Sequence, residues 1–254
     1  MIAEALQYAA TYPVTAREFR PFIGSSVSLW SRAGRCARAW SAHEENCKAF
    51  IDDTITGMRQ RRTAVVLGSG LLRDVPIKPL SHAFDTVVLV DLVHLASVRL
   101  WLMANRLRNV RLISRDLSGF AEAAAGRAPE PLSFLRQVPY LDLVISANLL
   151  SQIGVGAERR LERETAVPAP GLVPRLIQAH LDGLAALPCS TILLSDVSFA
   201  VLGHDGETRE TADLLHGVSA PQPQARWTWP VVPIGEESRQ FSVVHDVAAV
   251  RALR

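Results

Sequence analysis

The spacing of apolar residues changes character near residue 60. Before it, Trp30, Cys36, Trp40, His43, Cys47, Phe50 and Ile51 recur at roughly helical intervals, with no strand-like alternation. This predicts a helical cap over residues 1–60. From Thr63 onward, short uninterrupted runs of β-branched residues and leucine appear at 63–68, 86–91, 110–114, 141–146 and 191–195. Such runs suit strands buried on both faces. Segments 92–108 and 174–187 between them are long enough for crossover helices. Strand and helix in alternation imply a parallel sheet with right-handed connections, covered on both sides. Residues 61–254 are therefore expected to form a doubly wound, mostly parallel, Rossmann-like α/β domain.

The chain ends differently. The runs 227–236 and 240–250 are strand-like and leave no room for a helix between them, which predicts an antiparallel hairpin. Pro230 and Pro233 push the first run towards a sheet edge. Segments 153–174 and 203–226, rich in Gly, Pro and charge, are expected as loops. Both follow the carboxyl ends of strands, the edge where open α/β sheets bind ligands.

Candidate chemistry starts at the first of these runs, TAVVLGSG. Gly68 and Gly70 end it, and glycines there permit an unusual φ and close ligand approach. Asp91 closes the next run, 21 residues after Gly70. An acid in that position can accept hydrogen bonds from both hydroxyls of a ribose. The competing role for Asp91 is to cap the helix that follows. A dinucleotide site asks for a third small residue where Arg73 stands, and Pro76 and Pro79 oppose a long helix starting at the turn. A nicotinamide-dependent oxidoreductase is disfavoured on those grounds. No GK[ST] follows, so the turn is not a P-loop.

Four stretches together resemble the class I S-adenosylmethionine-dependent methyltransferases. They are VVLGSG, VVLVD ending in Asp91, ISRDLS with Asp116, and LDLVISANLLSQI at the fourth strand. The final strand pair agrees with that family's antiparallel last strand, and the likeness covers about residues 60 to 250. The resemblance implies S-adenosylmethionine as cofactor. Gly68, Ser69 and Gly70 would lie against its methionine part, and Asp91 with Leu92 at the ribose. Asp116 with Leu117 would lie near the adenine amino group, and Ala147 and Asn148 beside the cofactor at the fourth strand. Methyl transfer to an unidentified acceptor is the activity implied. A methyltransferase-like binding or assembly factor without catalysis is the alternative.

Methyl transfer from a sulfonium depends mainly on holding two partners in line. A base is needed only for an acceptor that is protonated at working pH. Candidates at the loop edge are Asn148, Gln152, Asp196 and His204. Asn148 and Gln152, four apart, could share one helix face. Trp227 and Trp229 should face one side of a strand, either stacking on a substrate ring or, more commonly, packing under a covering helix. Cys36, His43 and Cys47 fall near one helix face, but one straight helix cannot wrap a metal, so they read as packing residues and no metal site is expected.

Composition narrows the acceptor. The net charge is +2 and only Lys48 and Lys78 are lysines, so no basic surface points to nucleic acid. A small-molecule acceptor is preferred, and a protein acceptor stays open. Asp91, His94 and Arg99 interrupt the greasiest stretch, which excludes a clean membrane span there. Three cysteines give no disulfide framework, and the first residues lack a basic leader region. A cytoplasmic, reducing location is expected.

Overall fold

All five residues of TAVVL are buried, and they form β1 (Thr63–Leu67) in the middle of the sheet. The computed structural model describes residues 1–164 and 170–251, without the side chains of 163 and 164. Three helices precede the sheet: α1 (Ile2–Thr11), α2 (Ile23–Arg35) and α3 (Ala37–Gly57). After β1 come α4 (Ile77–Ala83), β2 (Thr86–Asp91), α5 (Ala96–Ala104), β3 (Val110–Ser114), α6 (Phe120–Ala124) and β4 (Leu141–Ala147). They are followed by α7 (Leu150–Glu164), α8 (Leu172–Ala185), β5 (Ser190–Gly203), β6 (Thr208–Asp213), β7 (Ala225–Val232) and β8 (Phe241–Arg251).

The sheet order is β3-β2-β1-β4-β5-β8-β7, with β6 paired to β5 off that path. Strands β1 to β5 run parallel, whereas β8 runs antiparallel to both β5 and β7. This mostly parallel sheet with an inserted antiparallel last strand is the Rossmann-like methyltransferase arrangement. The pleat sends alternate side chains of β1 to opposite faces. Val65 and Leu67 join Leu150, Ile153, Leu176 and Ile177 of α7 and α8 in one apolar cluster. Ala64 and Val66 join Ile23, Phe50, Ile51, Leu80 and Val98 of α2 to α5 in the other. Each fully buried leucine or isoleucine contributes about 1.5–3 kcal/mol.

Several expectations are corrected. Segment 153–174 is mainly helical: α7 runs through Gly154 and Gly156, with residues 165–169 outside the described part. Leu150, Ile153 and Ala157 are buried in helical register, and that apolar stripe outweighs the low propensity of two glycines. At Gly154 a Cβ would lie 3.1 Å from His216 Nε2, so the missing side chain admits that residue. Segment 203–226 contains a strand, β6, because β5 is far longer than the run 191–195. Beyond an irregularity at Val197, β5 exchanges β4 for β6 on one side, while β8 pairs with it on the other from Ile192 to Gly203. The expected helix 92–108 is shorter: Leu92 to Leu95 stay extended or irregular, and α5 begins at Ala96. The other helix, expected at 174–187, begins two residues earlier, at Leu172. The terminal hairpin is present, with β7 at the sheet edge.

Two buried histidines make stability depend on pH. His180 of α8 lies 3.0 Å from Ser146 Oγ of β4, and burial pushes its pKa down to about 4. Burial does the same to His43 of α3, also to about 4. Both are neutral when folded and protonate near 6.5 when unfolded, so the unfolded chain binds more protons between those values. Their full contribution is present above pH 6.5 and is lost as pH falls towards 4, at up to about 1.4 kcal/mol per pH unit for each. Urea unfolding between pH 7 and 4.5 should show the midpoint falling on acidification, and His180→Gln should flatten that slope.

Candidate active site

The turn after β1 is held by the strand beside it. Gly68 and Gly70 have φ of +72° and +49°, values that a side chain makes costly. Gly68 N–H donates to the Val90 carbonyl at 2.9 Å. A Cβ at Gly68 would stand 2.9 Å from the Ala147 carbonyl oxygen, so β4 closes on this glycine directly. Ser69 is buried, and its Oγ has no hydrogen-bond partner.

Asp91 does not cap a helix. Its Oδ2 accepts from Gly70 N–H and its Oδ1 from Leu92 N–H, both at 2.7 Å. Burial raises its pKa, and the Gly70 amide opposes that rise. Asp116 accepts from the N–H and the hydroxyl of Ser118 at 2.8 and 2.6 Å, while its Oδ2 lies 3.9 Å from Arg160 of α7. The Leu117 side chain enters the core, and Leu92 packs against the other cluster, so each offers a ligand mainly its backbone.

Asn148 follows β4 in a left-handed conformation, φ +49°, with its N–H on the Leu194 carbonyl at 2.8 Å. It therefore precedes α7 and shares no helix face with Gln152, which is exposed. Asn148 Nδ2 donates to Asp74 Oδ2 at 2.6 Å and lies 3.4 Å from His43 Nε2. Its Oδ1 is buried without a partner. Burial raises the pKa of Asp74 and of the Cys47 thiol beside it.

The cap reaches this edge through α3. Trp227 Nε1 donates to His43 Nδ1 at 3.0 Å, so the neutral imidazole carries its proton on Nε2, 3.6 Å from Cys47 Sγ. Trp229 stacks on His43 with centroids 4.1 Å apart. The alternation of Trp227 and Trp229 thus packs both rings under a covering helix. Cys36 lies under Trp40, and among the described residues no three of His, Cys, Asp and Glu gather as a metal-binding group. Arg73, where a dinucleotide fold would carry a small residue, turns to α3 and pairs with Glu44 at 2.6 Å. Because α4 starts only at Ile77, no helix N-terminus stands at the glycine turn to receive a pyrophosphate. The Arg73–Glu44 pair is partly exposed, so Arg73→Met should cost no more than about 1 kcal/mol in urea unfolding. A much larger loss would mean that this contact holds the cap in place.

One grouping escaped sequence reasoning. His245 of β8 hydrogen-bonds through Nδ1 to Asp196 Oδ2 at 2.7 Å, and Asp196 Oδ1 accepts from Ser151 Oγ at 2.5 Å. Asp196 was a sequence candidate; His245 was not, although a histidine inside the run VVHDV was a visible signal. Asp74, an acid four residues after Gly70, was likewise missed. His204 stands exposed at the β5–β6 turn, its N–H on the Gln240 carbonyl at 2.8 Å. Nine residues of strand separate Gly203 from Leu194, about 30 Å, so His204 does not join the groups around Asn148.

These strands, their order and the glycine turn define the fold of a class I S-adenosylmethionine-dependent methyltransferase. No protein-family model matches the chain, and no curated protein is similar to it by sequence. Solved structures similar to it include the N-methyltransferase NodS from Bradyrhizobium japonicum WM9 with S-adenosyl-L-homocysteine. That match has 12% identity, covers 82% of this chain and 85% of the other, and has a TM-score of 0.39. The YcgJ protein from Bacillus subtilis matches at 11% identity, 82% and 97% coverage and a TM-score of 0.45. The glycopeptide N-methyltransferase MtfA with S-adenosyl-L-methionine matches at 12% identity, 79% and 92% coverage and a TM-score of 0.35. The sheet order, rather than these distant likenesses, carries the fold assignment. Among the described residues no helix is long and apolar enough to cross a membrane.

Proposed function

We propose that this protein transfers a methyl group from S-adenosylmethionine to a small-molecule acceptor. The observation that carries the reading is the carboxyl edge of β1, β2 and β4. There, Gly68 and Gly70 stand in left-handed conformations, Gly68 tied to the Val90 carbonyl and Gly70 to Asp91, and Asn148 Oδ1 is a buried acceptor without a donor. Open space at Gly70, where an added Cβ would meet nothing closer than 3.8 Å, and an orphaned acceptor fit a ligand bearing an amine and a hydroxylated ring.

The cofactor supplies an electrophilic methyl group on a sulfonium. The chain supplies position. Gly68, Ser69 and Gly70 present backbone to the methionine part. A carboxylate offers about four acceptor sites, and Asp91 spends two on backbone amides, which leaves sites for ribose hydroxyls. Leu92 and Leu117 offer backbone beside ribose and adenine, and Asp116 keeps Oδ2 for the adenine amino group. Ala147 and Asn148 line the methyl-bearing end. In this reading residues 1–60 cap the 61–254 domain and exclude water through His43 and Trp229. A net charge of +2 supports a small acceptor over nucleic acid, and three free, buried cysteines fit a reducing, cytoplasmic setting.

Hydrogen exchange tests the pose without requiring turnover. S-adenosylhomocysteine should slow exchange of amides at 68–72, 92–95 and 116–118. Protection confined to other segments would contradict it.

A further inference from the structure

Two neighbouring helices turn apolar side chains to the solvent. Helix α5 buries Val98 and Leu102 against the sheet, while its opposite side carries Leu100 and Met103, which are 64% and 74% exposed. Its sequence, ASVRLWLMA, holds a single charge, Arg99. A helix that is apolar all round is ordinarily covered on every side. Helix α1 is inverted: it buries Gln7 and Thr11 and leaves Ile2 and Leu6 81% and 66% exposed. Its polar side is what docks it on α5. Gln7 Nε2 donates to Ser97 Oγ, and Thr11 Oγ1 accepts from Ala96 N–H at 3.0 Å. Past α1, Arg99 Nη2 donates to the carbonyl of exposed Val14, which sets that residue one helical turn from Met103. Ala96 and Leu100 are likewise one turn apart, so the apolar residues of both helices are neighbours on the outer surface.

We propose that this face, formed by α1, residues 12–14 and α5, docks on an anionic lipid surface. The proposal is independent of the methyl-transfer reading.

Charge selects the occupant. Segments 1–22, 77–83 and 92–110 carry Arg17, Arg20, Arg99, Arg106, Arg108 and Lys78 against Glu4 and Glu18. Glu18 is exposed, but Glu4 is already held by the Met1 amino group and Ser31. The cations sit on the apolar residues themselves. The Arg20 guanidinium lies 4.2 Å from the Tyr12 ring centre, and the Lys78 ammonium 5.7 Å from that of Trp101, and both rings are exposed. Tyrosine and tryptophan beside arginine and lysine suit the headgroup level of a bilayer, with aliphatic side chains such as Ile2, Leu6 and Leu100 reaching the acyl boundary. A second copy of the same face would bring arginine against arginine, a like-charge contact that opposes association. A protein partner would need a pocket for an anchoring side chain. The cavities of about 410 and 440 Å³ open elsewhere, one on β5 to β8 and one beside Asp53 and Arg251.

The test is flotation of the full chain with vesicles of phosphatidylglycerol and phosphatidylcholine in equal parts, with pure phosphatidylcholine as control. Wild type should float with the anionic vesicles at about 50 mM salt, stay behind with the neutral ones, and lose most of its binding at about 500 mM. Arg106→Gln with Arg108→Gln should weaken partitioning by about 25-fold, at about fivefold for each arginine. Leu100→Gln with Met103→Gln should weaken it by about tenfold or more, and the urea midpoint should stay near wild type because both side chains already stand in water. An environment-sensitive dye on Leu6→Cys should shift to the blue on anionic vesicles, the three native cysteines being buried, whereas one on Glu210→Cys of β6 should not. No flotation with anionic vesicles, equal binding to neutral ones, or a shift of the dye on Glu210→Cys in place of that on Leu6→Cys would overturn the proposal. A dimer in sedimentation equilibrium that Leu100→Gln with Met103→Gln dissociates, in a protein that ignores vesicles, would overturn it in favour of a second copy.

Discussion

Gly68→Ala should destabilise the protein by about 2–5 kcal/mol. Two costs add. A non-glycine residue at φ +72° costs roughly 1–2 kcal/mol, and a Cβ forced against packed neighbours costs about 1–3 more. The clashing atoms are the Ala147 carbonyl oxygen at 2.9 Å and Leu149 Cβ at 3.3 Å, and the first is backbone in a central strand. It cannot rotate away. Whole-domain stabilities are about 5–15 kcal/mol, so this one methyl group spends a large share of the total. Urea unfolding of the variant measures it. A midpoint equal to wild type would mean that β1 and β4 are farther apart than described. Gly70→Ala should cost less, because the nearest atom to its added Cβ is 3.8 Å away.

Asp91→Ala should weaken S-adenosylhomocysteine binding by about 1–3 kcal/mol, roughly 10- to 100-fold. The carboxylate has two tasks in this account: it receives ribose hydroxyls, and it holds Gly70 and Leu92 in the geometry the ligand meets. Comparing Asp91→Ala with Asp91→Asn separates them. Asn keeps one acceptor for the turn but presents a donor in place of the second, so it should retain the fold better than it retains the ligand. Unchanged affinity in a folded Asp91→Ala protein would remove Asp91 from the site.

What the sequence revealed, and what it hid, follows from how local each signal was. The central parallel strands announced themselves as apolar runs because both of their faces are covered, whereas β3 at the sheet edge leaves Arg111 and Ile113 exposed. The glycine turn and Asp91 were legible for the same reason: each sits at a strand end. Their hydrogen bond joins neighbouring strands. By contrast, α7 was obscured by Gly154 and Gly156; the first makes room for His216 rather than a turn, and the structure gives no reason for the second. The long reach of β5 was hidden because its second half is held between β6, just after it, and β8, far along the chain, and pairing partners leave no mark on local pattern. The same holds for the Asp196–His245 pair. Asp196 and His245 are 49 residues apart and meet only through the register of β5 on β8. Arg73 looked like a defect in a nucleotide-binding turn until Glu44, on a helix before the sheet, supplied its partner.

The central claim is that this edge of the sheet binds S-adenosylmethionine. Calorimetric titration of the purified protein with S-adenosylmethionine, S-adenosylhomocysteine and NAD in parallel tests it most directly. The account predicts micromolar binding of the two adenosyl sulfur compounds and none of NAD. Binding of NAD alone would contradict it in favour of hydride transfer. Binding of none of the three would leave the Gly68–Gly70 turn as a structural element of a non-catalytic relative.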